Sequence, residues 1–199
     1  MTLLQDRDAR RESLLAAADL VVQRDGASAS MASIAAEAGI TKPILYRHFG
    51  DKSGLYAALA GRHTDRLLDA LVEALTGGGV PRVRVLRTID AYLAVIGTEP
   101  QVYRFLVQSE EAAHVHGQVR GFVRRLQELL AVGITHELRL AADDLRAPVW
   151  AAAIVGLVQA AGERWLEEQD TDRSVLSELL TELIWGAYGQ LADVQAIRR

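Results

Sequence analysis

Leu14, Leu15, Ala18, Val21 and Val22 recur at steps of three and four residues, the spacing of one apolar stripe on a helix. That stripe predicts a helix over residues 8–24, stopped by Gly26. Shorter pieces follow. Ser30 is placed to cap a helix running through Ala38, Gly39 to break it, Thr41 to cap a second helix ending near Phe49, and Asp51 to cap a third. From Lys52 the positions Leu55, Leu59, Leu67, Leu68, Leu71 and Leu75 sustain one long connecting helix until Thr76-Gly77-Gly78-Gly79 interrupts it before Pro81. Further breaks at 97–100, 114–117, 143–148 and 169–172 delimit five more helices, starting near Pro81, Pro100, Gln118, Pro148 and Asp172. Three of them open on proline, whose missing N–H costs nothing in a first helical turn. Short alternating β-branched runs bounded by turns do not recur, so the chain reads as all-α. The glycine run at 77–79 lacks the spacing of a phosphate-binding loop and reads as a plain connection.

Residues 30–49, SMASIAAEAGITKPILYRHF, have the makings of a helix-turn-helix. Ile34, Ala35, Ala38, Ile40, Leu45 and Phe49 supply an apolar seam, and Gly39 offers the left-handed conformation that a tight turn requires. Thr41, Lys42, Tyr46 and His48 then fall at the start and on the outward side of the second helix, where a recognition helix meets base edges and phosphates. These residue types suit a polyanion.

The segment IAxxAGIxKPxLYxHFxxKxxLY, preceded by RRxxLLxAAxLVxxxxG, closely resembles the N-terminal domain of TetR-type regulators over residues 10–56. The resemblance implies a ligand-responsive transcriptional regulator, a repressor, that binds a pseudo-palindromic double-stranded DNA operator as a homodimer. It implies an N-terminal three-helix helix-turn-helix domain over residues 1–56 and a helical ligand-binding and dimerisation domain over residues 57–199. By resemblance, Thr41, Lys42 and Pro43 approach bases, Tyr46 and His48 hold the backbone, Lys52 clamps a phosphate at the next helix's N-terminus, and Ser30 and Ser33 add phosphate contacts. Two positions depart from the family pattern. Ala32 stands where a longer polar side chain often reaches a base, and Gly54 replaces a good helix former, which is expected to loosen the first turn of the connecting helix.

In the second half, Ala151, Ala152, Ala153, Gly156, Ala160, Ala161 and Gly162 are interleaved with Val149, Ile154, Val155, Leu157 and Val158, a composition for close helix packing. The last helix repeats Leu176, Leu179, Leu180, Leu183, Ile184 and Ala187 at helical steps, more apolar surface than a solvated terminal helix carries. The pair resembles the family's four-helix dimer interface; burial within one core is the alternative. A largely apolar effector site is expected among the remaining helices, lined by Tyr92, Tyr103, Arg104, Gln108, Phe122, Leu126 and Trp150. Tyr103-Arg104-Phe105 after Glu99-Pro100, with Trp185-Gly186 late in the chain, is similar to actinobacterial regulators of fatty-acid synthesis, which implies a small hydrophobic acyl effector. Whether it releases or tightens DNA is left open.

Charge sharpens this picture only when divided along the chain. The net −4 splits into +1 over residues 1–62 and −5 over 63–199, and both lysines, Lys42 and Lys52, lie in the motif. The chain has no cysteine, which removes disulfides and thiolate chemistry. No apolar run reaches the roughly 18 residues of a membrane span, and the N-terminal MTLLQDRDARRES lacks the apolar core of a signal peptide, so a cytoplasmic protein without membrane contact is expected. No cofactor motif and no catalytic signature is present, so the chain is not expected to be an enzyme. Two other readings compete. His114 and His116 with Glu110 and Glu111 upstream could begin a metal-dependent enzyme but lack a third ligand at a diagnostic spacing; a ligand-binding dimer that has lost DNA binding is disfavoured by the intact Lys42, Tyr46, His48 and Lys52.

Overall fold

The structure is a computed structural model that describes the backbone of residues 3–108 and 113–197 and the side chains of 7–26, 28–107 and 115–187. Its described residues form nine α-helices: α1 Leu3–Asp25, α2 Met31–Glu37, α3 Lys42–Phe49, α4 Lys52–Thr76, α5 Pro81–Thr98, α6 Pro100–Gln108, α7 Ala113–Glu137, α8 Arg146–Glu168 and α9 Arg173–Ile197. A short 3-10 turn, Gly26–Ser28, follows α1. No strand occurs among the described residues.

Two boundaries differ from the sequence reading. The helix expected over 8–24 is already formed at Leu3, because Gln5, Arg7, Ala9 and Arg10 are good helix formers. The break expected around 114–117 and the helix start near Gln118 give way to a helix that begins at Ala113 and runs through Gly117 and Gly121. Lone glycines cost about 1 kcal/mol each in a helix, which the apolar face of α7 offsets.

The chain divides into two compact units, residues 1–66 with 99–121 and residues 67–98 with 122–199. In the first, Leu14, Val21, Ile34, Leu45, Leu55, Leu59, Phe105 and Val115 are fully buried in one cluster. Helix α6 packs on α1 and on the 3-10 turn. Tyr56 meets Phe105 edge to face at 4.9 Å, and its hydroxyl donates to the Ala29 carbonyl, so an otherwise costly buried O–H is satisfied. The same unit buries charge. His63 Nε2 lies 2.5 Å from Asp19 Oδ1, and His63 Nδ1 lies 3.6 Å from Glu99. Arg62 stands within ion-pair distance of Glu12, at 2.9 Å, and Asp19, at 3.4 Å, although neither approach is aligned as a hydrogen bond.

In the second unit α5 packs against α8 and α9. Arg173 Nε donates to Asp90 at 2.9 Å and the Ser177 hydroxyl donates to the same carboxylate at 3.3 Å, tying α9 to α5. Helix α8 ends on Gln169 in the left-handed conformation, φ 48°, and Trp165 Nε1 donates to the Thr171 carbonyl at 2.7 Å across the connection. Among the described residues no helix is long and apolar enough to cross a membrane.

Candidate nucleic-acid interface

Helix α2 is too short to persist alone, and its end is held by a reciprocal cap. Ser30 Oγ accepts from the Ser33 N–H at 3.1 Å while the Ser30 N–H donates to Ser33 Oγ at 3.0 Å. Gly39, at φ +64°, makes the turn, and the Ile40 N–H returns to the Ala35 carbonyl at 3.0 Å. Thr41 then enters α3 with an extended backbone, φ −90° and ψ 153°. Its expected side-chain cap is absent: the first turn closes instead on its carbonyl, which accepts from Ile44 at 3.0 Å and Leu45 at 3.3 Å. The Thr41 hydroxyl therefore has no capping duty, and the side chain is exposed with Lys42 and Pro43.

Helix α3 has two faces. Leu45 and Phe49 are buried against the core of the first unit, whereas Tyr46 is 41% exposed, Arg47 is exposed and His48 is half-buried. Gly50, at φ +81°, ends the helix with its N–H on the Tyr46 carbonyl at 2.7 Å. Asp51 Oδ1 accepts from the Gly54 N–H at 2.6 Å and so caps α4, whose first residue, Lys52, carries its ammonium 5.2 Å from the centre of the Tyr56 ring. That contact fixes a cation at the positive end of a helix, where an anion is the complementary partner.

Gly54 corrects the sequence reading. A β-carbon there would stand 2.1 Å from the Phe49 carbonyl oxygen, so this glycine does not loosen α4; it lets α4 start tightly under the end of α3. Ala32 is exposed on α2, as its departure from the family pattern allows.

The predicted DNA-contacting residues thus fall on one stretch of the first unit, Ser30 and Ser33 at the start of α2, Thr41 to His48 on α3, and Lys52 at the start of α4. Both serines spend hydrogen bonds on the cap. Two basic groups were not singled out from the sequence: Arg47, exposed beside Tyr46, and Arg11, whose guanidinium carbon lies 5.0 Å over the Phe49 ring. The spacing of Arg11 from Leu14 along one helix face was the available signal.

The expected effector residues are divided. Tyr103 and Arg104, half-buried on α6, belong to the first unit, and the Gln108 side chain lies outside the described ones. Tyr92, Phe122, Leu126 and Trp150 belong to the second. There a cavity of about 300 Å³ opens among α7, α8 and α9, lined by Ile134, Trp150, Ala153, Ile154, Leu157, Leu183, Ile184 and Ala187. Trp150 is the one expected residue at its wall; Tyr92 and Phe122 are buried elsewhere in the unit. Outward on α8 and α9, Val149 is 62%, Leu179 54% and Leu183 59% exposed, with Ala152, Ala153 and Gly156 also exposed. Glu110 and Glu111, and the His114 side chain, lie outside the described residues, among which no group of three metal-ligating side chains is found.

Comparison with known proteins covers nearly the whole chain. Residues 14–59 match the family model described as bacterial regulatory proteins, tetR family, and residues 70–199 match the one described as tetracyclin repressor-like, C-terminal domain. The chain is 30% identical over 184 residues to the HTH-type transcriptional activator FasR of Mycolicibacterium smegmatis, covering 90% of this chain and 83% of that protein. In fold it is similar to a TetR-family regulator from Streptomyces coelicolor, with a TM-score of 0.78 at 21% identity over 94% of this chain and 83% of the other. It is also similar in fold to FadR of Bacillus subtilis, solved in complex with stearoyl-CoA, with a TM-score of 0.68 at 19% identity over 87% of this chain and 96% of that one.

Proposed function

The chain belongs to the TetR family of DNA-binding transcriptional regulators, and from that premise we propose that it binds a pseudo-palindromic operator as a homodimer whose affinity is set by a small apolar effector. The observation that carries the DNA half of this reading is the capped α2–Gly39–α3 unit, which exposes Thr41, Lys42, Pro43 and Tyr46 while burying Leu45 and Phe49 behind them. Thr41, Lys42 and Pro43, at the N-terminus of α3, meet base edges; Tyr46, His48 and Lys52 hold phosphates. Ser30 and Ser33 act mainly by holding α2.

A dimer suits the outward face of α8 and α9. Val149, Leu179 and Leu183 would otherwise leave an apolar patch in water, and the small Ala152, Ala153 and Gly156 permit close helix approach. Two-fold pairing would set the two α3 helices on half-sites about 34–36 Å apart, or a multiple of it. Repression follows where such a dimer occludes a promoter.

The test separates bases from backbone. Genomic fragments retained by the protein supply the operator, and affinities for it and for scrambled DNA are measured across a salt series. Lys52→Ala should weaken both and lower the salt slope by about 1 per subunit, whereas Lys42→Ala should change the preference between them. Unchanged slopes and unchanged preference would remove both assignments.

The effector half rests on the apolar cavity beside Trp150, which shares Ala153 and Leu183 with the outward face of α8 and α9 and would be closed on that side by the second copy, and on the stearoyl-CoA complex of a relative in fold. An acyl chain there would prefer one arrangement of the helices around it, and α4 and α7 run without interruption from the second unit into the first. A coupling of about 1–3 kcal/mol would change operator affinity roughly 5- to 150-fold. Acyl chains of increasing length should alter tryptophan fluorescence and operator affinity together; if no length changes either below micelle formation, the acyl-sensor reading fails while the DNA reading stands.

A further inference from the structure

The buried face of α1 does not end where the core ends. Leu14, Leu15, Ala18, Val21 and Val22 face the core of the first unit, and the same helical face continues toward the N-terminus as Arg7, Arg10 and Arg11, at steps of three and four residues from Leu14. The apolar stripe thus becomes a basic one. Arg7, Arg10 and Arg11 are exposed, so this part of the helix has run past the apolar cluster.

Two contacts say where the basic stripe lies and what it faces. The Arg11 guanidinium carbon sits 5.0 Å above the ring of Phe49, the last residue of α3, which anchors the first turns of α1 beside the end of the helix that carries Tyr46 and His48. Of the three acids in residues 6–12, Glu12 lies 2.9 Å from Arg62 of α4 and is drawn off the stripe, and the Asp6 side chain lies outside the described ones. Asp8, also exposed, lies to one flank of the stripe by helical spacing. Among the described residues no ion pair engages Arg7 or Arg10.

Resting on the DNA-binding reading above, we propose that Arg7, Arg10 and Arg11 form a second phosphate-binding surface that grips the DNA backbone flanking each half-site. Guanidinium groups on successive helical turns present donor forks to successive phosphate oxygens, an interaction that adds affinity and footprint length without reading sequence. Arg11 has a further duty as the positioning residue, since its stacking on Phe49 joins the stripe to the end of α3.

The test uses full-length protein and the operator duplex retained from genomic DNA, with and without its flanking base pairs. The double variant Arg7→Gln/Arg10→Gln should melt as the wild type does, because both side chains are exposed, and keep its preference for operator over scrambled DNA. Its salt slope should fall by about 0.9 for each phosphate it no longer neutralises, close to 2 per subunit, and trimming the flanks should weaken the wild type but not the variant. A double variant with the wild-type slope and the wild-type response to trimming overturns the proposal while leaving DNA binding through α3 intact. A wild-type protein that retains no DNA overturns both readings, so the two failures are distinguishable.

Discussion

Replacing Gly54 by alanine sets two physical arguments against each other with opposite signs. Helix propensity favours the substitution by up to about 1 kcal/mol, because glycine loses more backbone freedom on folding. Packing opposes it. The new β-carbon would stand 2.1 Å from the Phe49 carbonyl oxygen and 3.3 Å from its carbonyl carbon. Carbon and oxygen settle at about 3.3 Å or more even in favourable contacts, so the start of α4 must move from the end of α3 by about an ångström. The obstacle is main chain rather than a side chain that can turn aside. Overpacking of this kind costs about 1–3 kcal/mol, and the shift also endangers the 2.6 Å bond from the Gly54 N–H to Asp51 that caps α4, an interaction worth about 1 kcal/mol. Gly54→Ala should therefore be net destabilising by about 1–3 kcal/mol, a fall in melting temperature of roughly 3–10 °C for a chain of this size. Gly121→Ala is the matched control: it too lies inside a helix, but nothing stands within 4 Å of the added carbon, so there the propensity gain should survive. Melting followed by circular dichroism reads both variants, and operator affinity reads whether Lys52 has been displaced. If Gly54→Ala melts as high as or higher than the wild type, the tight α3–α4 junction is not what requires this glycine.

Ser33→Ala removes the bond from the Ser30 N–H to Ser33 Oγ while residue 33 keeps the N–H that donates to Ser30 Oγ, so it should cost about 0.5–1 kcal/mol together with operator affinity; an unchanged melting temperature would show that this half of the cap does not hold α2. Gln169 holds a left-handed conformation, so Gln169→Gly should raise stability by up to about 1 kcal/mol in the same melting assay, and a drop would show that its side chain does more than end α8. Asp144 accepts hydrogen bonds from the Arg146 side chain and backbone N–H, which hold its carboxyl down at about 2. Because the folded value lies below the unfolded one, this contribution is fully present above about pH 4 and is lost as pH falls toward 2; amide exchange in the first turn of α8 should rise over that window, and Asp144→Asn should abolish the rise.

The helix-turn-helix was legible because every device that builds it is local. Its cap joins residues three apart, its turn needs one glycine with positive φ, and its seam repeats at helical spacing. Thr41 shows the limit of such reasoning: residue type and position both suited a side-chain cap, but the backbone carbonyl took the bonds. Gly54 was misjudged for a related reason. Propensity treats a helix position in isolation, whereas the steric demand comes from a carbonyl five residues earlier, brought back by the turn at Gly50. The cavity beside Trp150 needs side chains from three helices at once, and no periodicity specifies which residues will face a shared void.

The least legible feature is the buried ionic cluster, and its chemistry explains what the apolar stripe of α4 cannot. Leu55 and Leu59 would pack against α1 nearly as well after a shift of one helical turn, since dispersion and burial are not directional. His63 and Asp19 would not. They are 44 residues apart, both almost fully buried, and sliding α4 by a turn would leave a buried carboxylate without its imidazole and Arg62 without either acid. Breaking a buried pair costs about 3–5 kcal/mol, whereas keeping it gains little over an apolar substitute. The cluster therefore acts on register rather than on overall stability. With the α3–α4 junction at Gly54 and the bond from the Tyr56 hydroxyl to Ala29, it penalises a slipped α4, and through Glu99 it ties the point where the chain re-enters the first unit to the same turn. Lys52, three turns earlier on the same helix, inherits that register, so the placement of the cation proposed to hold a phosphate at the start of α4 is set in part by the His63–Asp19 pair buried well inside the unit.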